Sequence, residues 1–162
     1  MRRTPLCVIG VSLWVVVVAG NQQPASGALS PTVRTQLQNG KFQIVTSVRG
    51  LPLGVRERMT TMFGGALDIA EPGAAFQTTD LLVSPRLPTR RMVAAACSND
   101  FYCLVYYERG GIARTWHVAL FHWSPDETQL EWGGNAPGGF KTIDDVRKAI
   151  LSGAIKGSSG PW

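Results

Sequence analysis

The feature that most constrains this chain is a succession of β-rich segments in its second half. Residues 92–97, 102–107 and 112–123 are dominated by Val, Ala, Leu, Tyr, Phe and Trp, and are broken by Ser98-Asn99-Asp100 and by Arg109-Gly110-Gly111. Runs of this length with polar and glycine punctuation predict consecutive antiparallel strands. Gly110-Gly111 suits a two-residue hairpin turn. Such a turn pairs Arg109 with Ile112, Tyr107 with Arg114, Val105 with Trp116 and Cys103 with Val118 on one face, and leaves Leu104, Tyr106, Thr115 and His117 on the other. A turn at 124–127 returns the chain as a further strand over 128–132, which gives a meander of about four strands.

Two helices accompany the sheet. After Pro52, residues Val55, Met59, Met62 and Phe63 recur at helical spacing until Gly64-Gly65, which predicts a helix over 52–63 whose stripe faces a core rather than a partner. Thr142 as N-cap, Asp144 and Asp145 in the first turn, Val146, Ala149 and Ile150 on one side, and Gly153 beyond them predict a second helix. Phe42, Ile44, Val45 and Val48 suggest a short strand before the first helix. The 18 glycines and 10 prolines favour short elements over a long-helix bundle. The expected fold is α+β, an antiparallel β-meander of about four strands with the two helices packed on one face and the other face open. With 162 residues there is room for one domain, placed at 42–156 between a flexible lead-in at 29–41 and a flexible tail at 157–162.

The N-terminus carries an address. Met1-Arg2-Arg3, an uncharged apolar run over 5–20 and the polar Asn21-Gln22-Gln23 follow the order of a secretory signal peptide, so residues 1–28 are assigned to signal and cleavage, after Gly20 or after Ala28. The run is shorter than the ~20 residues that span a bilayer, so an uncleaved anchor, the chain's one expected link to a membrane, is the lesser alternative. The valine-rich run suits the general secretory route better than twin-arginine export, and Cys7 precedes that run, which argues against lipidation. The expected location is periplasmic or secreted. Loss of Arg2 and Arg3 lowers the formal charge from +5 to about +3. The remaining bases are scattered, with Arg90-Arg91 and Arg147-Lys148 the two adjacent pairs and no stripe among them, so nucleic acid is not an expected partner. Loss of Cys7 leaves Cys97 and Cys103, which in an oxidising compartment predict a disulfide at the end of a hairpin.

Chemistry-bearing motifs are sparse. The segment from Gly134 to Thr142 approaches a phosphate-binding loop, but Phe140 moves Lys141 out of step, so it reads as a glycine-rich lead into the helix and no nucleotide or other cofactor is expected. His117 and His122 fall on opposite faces of a regular strand and do not share a metal. No G-x-S-x-G, H-E-x-x-H or EF-hand pattern occurs. The paired carboxylates Asp126-Glu127 and Asp144-Asp145 have turn and cap roles, so no catalytic residue is assigned. The stretch 67–91 holds Pro72, Pro85 and Pro88 with at most a short strand at 81–83, and reads as a long loop suited to binding. Asp80 in this loop caps a turn or faces Arg90 or Arg91. Aromatics crowd the sheet region, and those left on an open face mark a contact surface. The candidate binding surface is therefore Asp80, Arg90, Arg91, Tyr106, His117 and Trp123.

Glu71-Pro72-Gly73, Thr79-Asp80, Leu87-Pro88 with Arg90-Arg91, and Tyr107-Glu108-Arg109-Gly110-Gly111-Ile112 resemble segments of small exported bacterial proteins of uncharacterised function, over roughly residues 42–154. The resemblance implies a bacterial periplasmic home and no activity. The expected function is a non-catalytic binding module for an unidentified protein or small molecule. Two alternatives stand beside it: a secreted hydrolase using His117 or His122 with Glu108 or Asp80, and an inhibitor of an extracellular enzyme that uses the disulfide-pinned turn as a rigid wedge.

Overall fold

A computed structural model describes residues 27–80, 84–158 and 160. Residues 1–26 of the 1–28 signal region, the suggested strand at 81–83 and residues 159, 161 and 162 of the tail lie outside the described residues. Helix α1 (Pro31–Asn39), strand β1 (Phe42–Val45) and helix α2 (Leu53–Met62) come first. Strands β2 (Arg90–Ser98), β3 (Tyr102–Arg109), β4 (Thr115–Trp123) and β5 (Thr128–Ala136) follow, then helix α3 (Ile143–Leu151) and the short β6 (Lys156–Gly157). The sheet is antiparallel throughout, in the order β1-β2-β3-β4-β5-β6. The α+β class and the meander are as expected, with six strands and three helices among the described residues in place of about four and two.

The helices do not share one face, which corrects the expected layering. Leu104, Tyr106, Val118, Leu120 and Trp132 pack with Val33 and Leu37 of α1 and with Ile143, Val146 and Ile150 of α3. Cys103, Val105, Tyr107, Ala119 and Phe121 point the other way and pack with Val55 and Met59 of α2, Val48 and Leu51, and Ile69. The sheet is therefore covered on both sides. The physical reason lies in β3, which is buried at every position from Tyr102 to Glu108 and has no polar face to give to water.

Residues 29–41, expected to be a flexible lead-in, contain α1. Ser30 caps it by accepting from the Val33 amide (3.2 Å), Pro31 sits in its first turn, and Val33 and Leu37 form a four-residue-spaced buried pair. Arg147 of α3 completes the attachment by donating from Nε and Nη2 to Leu37 O (3.0 and 2.7 Å) and from Nη2 to Gly40 O (3.1 Å), with its guanidinium 4.8 Å from the Phe42 ring. One side chain thus satisfies carbonyls left open at the end of α1.

The β3–β4 register also differs from the expected two-residue turn. Arg109 pairs with Thr115, Tyr107 with His117 and Cys103 with Phe121, so the turn spans 110–114. Gly110 is held by the long loop: its amide donates to Thr89 O (2.9 Å), and a Cβ there would lie 1.7 Å from Gln77 O. The residue that was to close a tight turn serves as a close-approach point, and the odd slip sends His117, Trp116 and Val118 to the opposite faces from those expected. The C-terminal helix follows its reading, with Thr142 Oγ1 accepting from the Asp145 amide (3.1 Å) and its apolar side buried. The glycine-rich lead-in begins inside β5, where Gly134 pairs with Val118.

Replacing Leu37 with Ala tests the docking of α1. The loss of a fully buried leucine costs about 3 kcal/mol of unfolding free energy in urea titration; a change near zero means that 29–41 is a lead-in after all.

Candidate functional site

The long loop was the expected binding element, and its backbone is strapped down. Because β1 pairs only with the 95–98 half of β2, the other half has an open edge, and Ala70 fills it: the Ala70 amide donates to Arg90 O (2.9 Å) and the Met92 amide to Ala70 O (3.0 Å). From there the loop reaches Phe76, 6 % exposed, against the guanidiniums of Arg91 and Arg114 at 4.7 and 5.7 Å from its ring. Beneath them Glu108, 1 % exposed, receives Arg91 Nε at 2.6 Å on one oxygen and Arg114 Nε at 2.7 Å on the other. Arg91 also donates to Ala74 O (3.1 Å). A carboxylate this deep is tolerated because both its oxygens hold cations.

On the other face Arg90 is paired with Asp68 (3.2 Å) and lies 4.2 Å from the centre of the Phe63 ring. Asp68 also accepts from the Thr89 amide and hydroxyl, which closes the base of the loop. Asp80 therefore faces neither arginine as an ion-pair partner; it is exposed and lines a cleft of about 250 Å³ with Gln77, Thr79, Thr89, Arg109, Gly110 and Gly111.

His117 and Tyr106 are interior residues. His117 stacks on Tyr107 (centroids 5.4 Å, 26°), and its Nε2 meets Thr115 Oγ1 at 2.8 Å. Burial lowers its pKa, partly opposed by a hydrogen bond with Asn135, its neighbour on β5, so the ring is neutral at pH 7. Burial raises both tyrosine hydroxyls, Tyr106 to about 12, which keeps them protonated. Glu108 alternates to the face opposite His117, so the sheet separates the histidine and carboxylate that the hydrolase reading needs. His122 is distant along the same strand, against Tyr102 (centroids 4.9 Å). Arg90 and His117 share one face, Arg91 and Tyr106 the other, and Trp123 stands at the far end of β4. The expected surface of six residues is thus not one site.

Trp123 leads to a feature that the sequence reading missed. Cys97 and Cys103, cross-strand partners in β2 and β3, form the expected disulfide (Sγ–Sγ 2.02 Å) at the base of the turn Asn99-Asp100-Phe101. The Phe101 amide donates to Ser98 O (3.2 Å) and Phe101 has φ 64°, so the turn is a three-residue hairpin loop whose last position is left-handed, a place normally given to glycine. Phe101 is nonetheless 45 % exposed. Three restraints hold it: the disulfide, the Tyr102 amide donating to Ser98 Oγ (3.2 Å), and the Trp123 amide donating to Phe101 O (2.8 Å). Its ring meets Trp123 edge to face at 5.2 Å and 82°. Trp123 in turn walls a cleft of about 460 Å³ between the start of α2 and the β4–β5 turn. The helix comes this close because residue 54 is glycine: a Cβ would fall 2.2 Å from Thr128 Oγ1. The signal available in the sequence was Phe101 itself, a bulky aromatic in the glycine position of a short turn.

Among the described residues no group of three or more His, Cys, Asp or Glu is placed to hold a metal, and no helix is long and apolar enough to cross a membrane. Comparison with protein-family models, curated proteins and solved structures finds no match.

The buried His117 sets a pH dependence. The folded chain holds it neutral whereas the unfolded chain takes up a proton near pH 6.5, so stability is full above about pH 6.5, falls as pH drops through that value, and levels off below the depressed folded pKa. Denaturant titrations of His117→Gln against the parent across pH 4–8 report this as a gap that changes with pH; a constant gap contradicts a neutral buried histidine.

Proposed function

We propose that this chain is an exported, non-catalytic binding module that engages a partner protein with the disulfide-pinned β2–β3 turn. The observation that carries the reading is Phe101, a large apolar side chain kept at positive φ and half in water by a disulfide and two hydrogen bonds, one from the Trp123 amide to its own carbonyl and one from the Tyr102 amide to Ser98 Oγ. A left-handed conformation costs a residue of this type about 1–2 kcal/mol, and an exposed ring returns little of that through burial. Strain maintained by its surroundings concentrates where a side chain must be presented to something else. A rigid, pre-ordered aromatic loses little entropy on binding, which suits an anchor and also suits an enzyme inhibitor as one form of the same module.

Export is supported by the Cys97–Cys103 bridge, which fits an oxidising compartment, and by the order of charge and hydrophobicity over residues 1–28. Of the two cleavage positions, the one after Gly20 is favoured, because cleavage after Ala28 removes Gly27, whose carbonyl accepts from Trp132 Nε1 (3.5 Å). The hydrolase reading finds no support in the placement of His117, Glu108 and Asp80. The loop over 67–91, strapped at both ends, serves the fold instead of acting as the main contact surface.

The test is position-specific crosslinking in the exported fraction of the source cell. A photoreactive phenylalanine analogue at Asn99, beside Phe101, yields a discrete crosslinked species that Phe101→Asn removes, while the same analogue at Ile112, 94 % exposed at the opposite end of the sheet, does not. Equal products from both positions, or none from Asn99, overturn the reading.

A further inference from the structure

The cleft next to the turn carries a charge pattern that stands apart from the rest of the chain. Its apolar wall is the Trp123 ring together with Leu53, which is 62 % exposed although it opens a helix beside a core. The rim carries Glu57, Asp126 and Glu127 against one base, Arg58, and Asp100 stands exposed beside Phe101. None of these four carboxylates enters a salt bridge among the described residues, unlike Asp68, Glu108 and Asp144. With four carboxylates against one base, this end is a negative patch on a protein whose formal charge is about +3 once Arg2 and Arg3 are removed.

We infer that the cleft takes a cationic and apolar segment of the partner protein, with an apolar side chain against Leu53 and Trp123 and Lys or Arg against Glu57, Asp126 and Glu127. This rests on the turn being the docking surface and adds the chemistry of what docks. Charge complementarity selects the sign: Glu127 accepts from Gln129 Nε2 (2.8 Å), but no cation among the described residues neutralises these carboxylates, so an anionic segment is repelled beside a low-dielectric wall whereas a cation relieves them. The long stems of Lys and Arg lie along apolar surface while their heads stay at a wet rim, and a guanidinium is attracted to an indole face. Phe101 and the cleft meet through Trp123, so one extended segment crossing the turn and entering the cleft contacts both.

The probes are two synthetic ten-residue peptides with leucine at the same positions, one with lysine and the other with glutamate in the charged positions. Each is titrated into the ¹⁵N-labelled, disulfide-bonded protein, and the Trp123 indole N–H resonance is followed, identified by its absence in Trp123→Phe. The lysine peptide shifts that resonance in a saturable way and the glutamate peptide does not. The triple variant Glu57→Gln, Asp126→Asn, Glu127→Gln weakens the lysine peptide about tenfold or more, and added salt weakens it in the parent. Equal binding of the two peptides, undiminished binding by the triple variant, or no shift from either peptide at about 1 mM overturns the inference. A dimer detected by light scattering that Phe101→Asn dissolves also overturns it, because the occupant is then a second copy. The two readings fail separately: Phe101→Asn still abolishing the Asn99 crosslink while the triple variant changes nothing removes the cationic partner and keeps the turn, whereas a crosslink that survives Phe101→Asn removes the turn.

Discussion

Strand β3 runs through the middle of the sheet with both faces out of water, and the other elements are arranged to keep it so. Seven successive buried residues, from Tyr102 to Glu108, bring apolar bulk to two sides at once, and no single layer of helices can cover both. Helices α1 and α3 take one side; α2, the turn around Val48–Gly50 and the start of the long loop take the other. Even the edge follows from this demand. Since β1 covers only half of β2, the loop supplies Ala70 to the rest and then crosses toward Phe76.

A sheet this dry places strict conditions on the polar groups within it. Glu108 is tolerated because Arg91 and Arg114 occupy its two oxygens, and those guanidiniums in turn carry Phe76 and bond Ala74. Arg90 is tolerated through Asp68, which also anchors Thr89. The charged end of the sheet therefore works as a set of clamps for the loop. That explains why Arg90, Arg91 and Glu108 hold the chain together, and why the long loop read as suited to binding is tied at Asp68, Ala70, Gln77 and Thr89.

What was legible in the sequence followed locally determined signals. The meander, the α3 helix with its Thr142 cap, the Val55/Met59 stripe and the Cys97–Cys103 bridge each depend on neighbours within a few residues. The failures share a non-local cause. Gly110-Gly111 is a fitting turn in isolation, but Gln77 and Thr89 claim Gly110 from a segment some twenty to thirty residues away. Helix α1 was hidden because a Gln-rich stretch with two apolar residues has weak periodicity; Ser30-Pro31 was the signal, and docking through Arg147 supplies what propensity does not. The two-sided burial was present as the unalternating run Cys103-Leu104-Val105-Tyr106-Tyr107, which a strand with one wet face does not carry. Phe101 as an aromatic in a short turn is visible in the sequence, but that its position is the left-handed one follows only from the strand pairing that the Cys97–Cys103 register sets.

Under the proposed function, Phe101 is held at its conformation for a partner and not for the fold. The most direct measurement is the unfolding free energy of Phe101→Asn in urea, with the disulfide intact. Asparagine accepts the left-handed region more readily, so the relief of about 1 kcal/mol offsets the lost edge-to-face contact with Trp123, and the variant unfolds within about 1 kcal/mol of the parent. A loss above about 2 kcal/mol makes Phe101 a packing residue for the sheet end and contradicts the account.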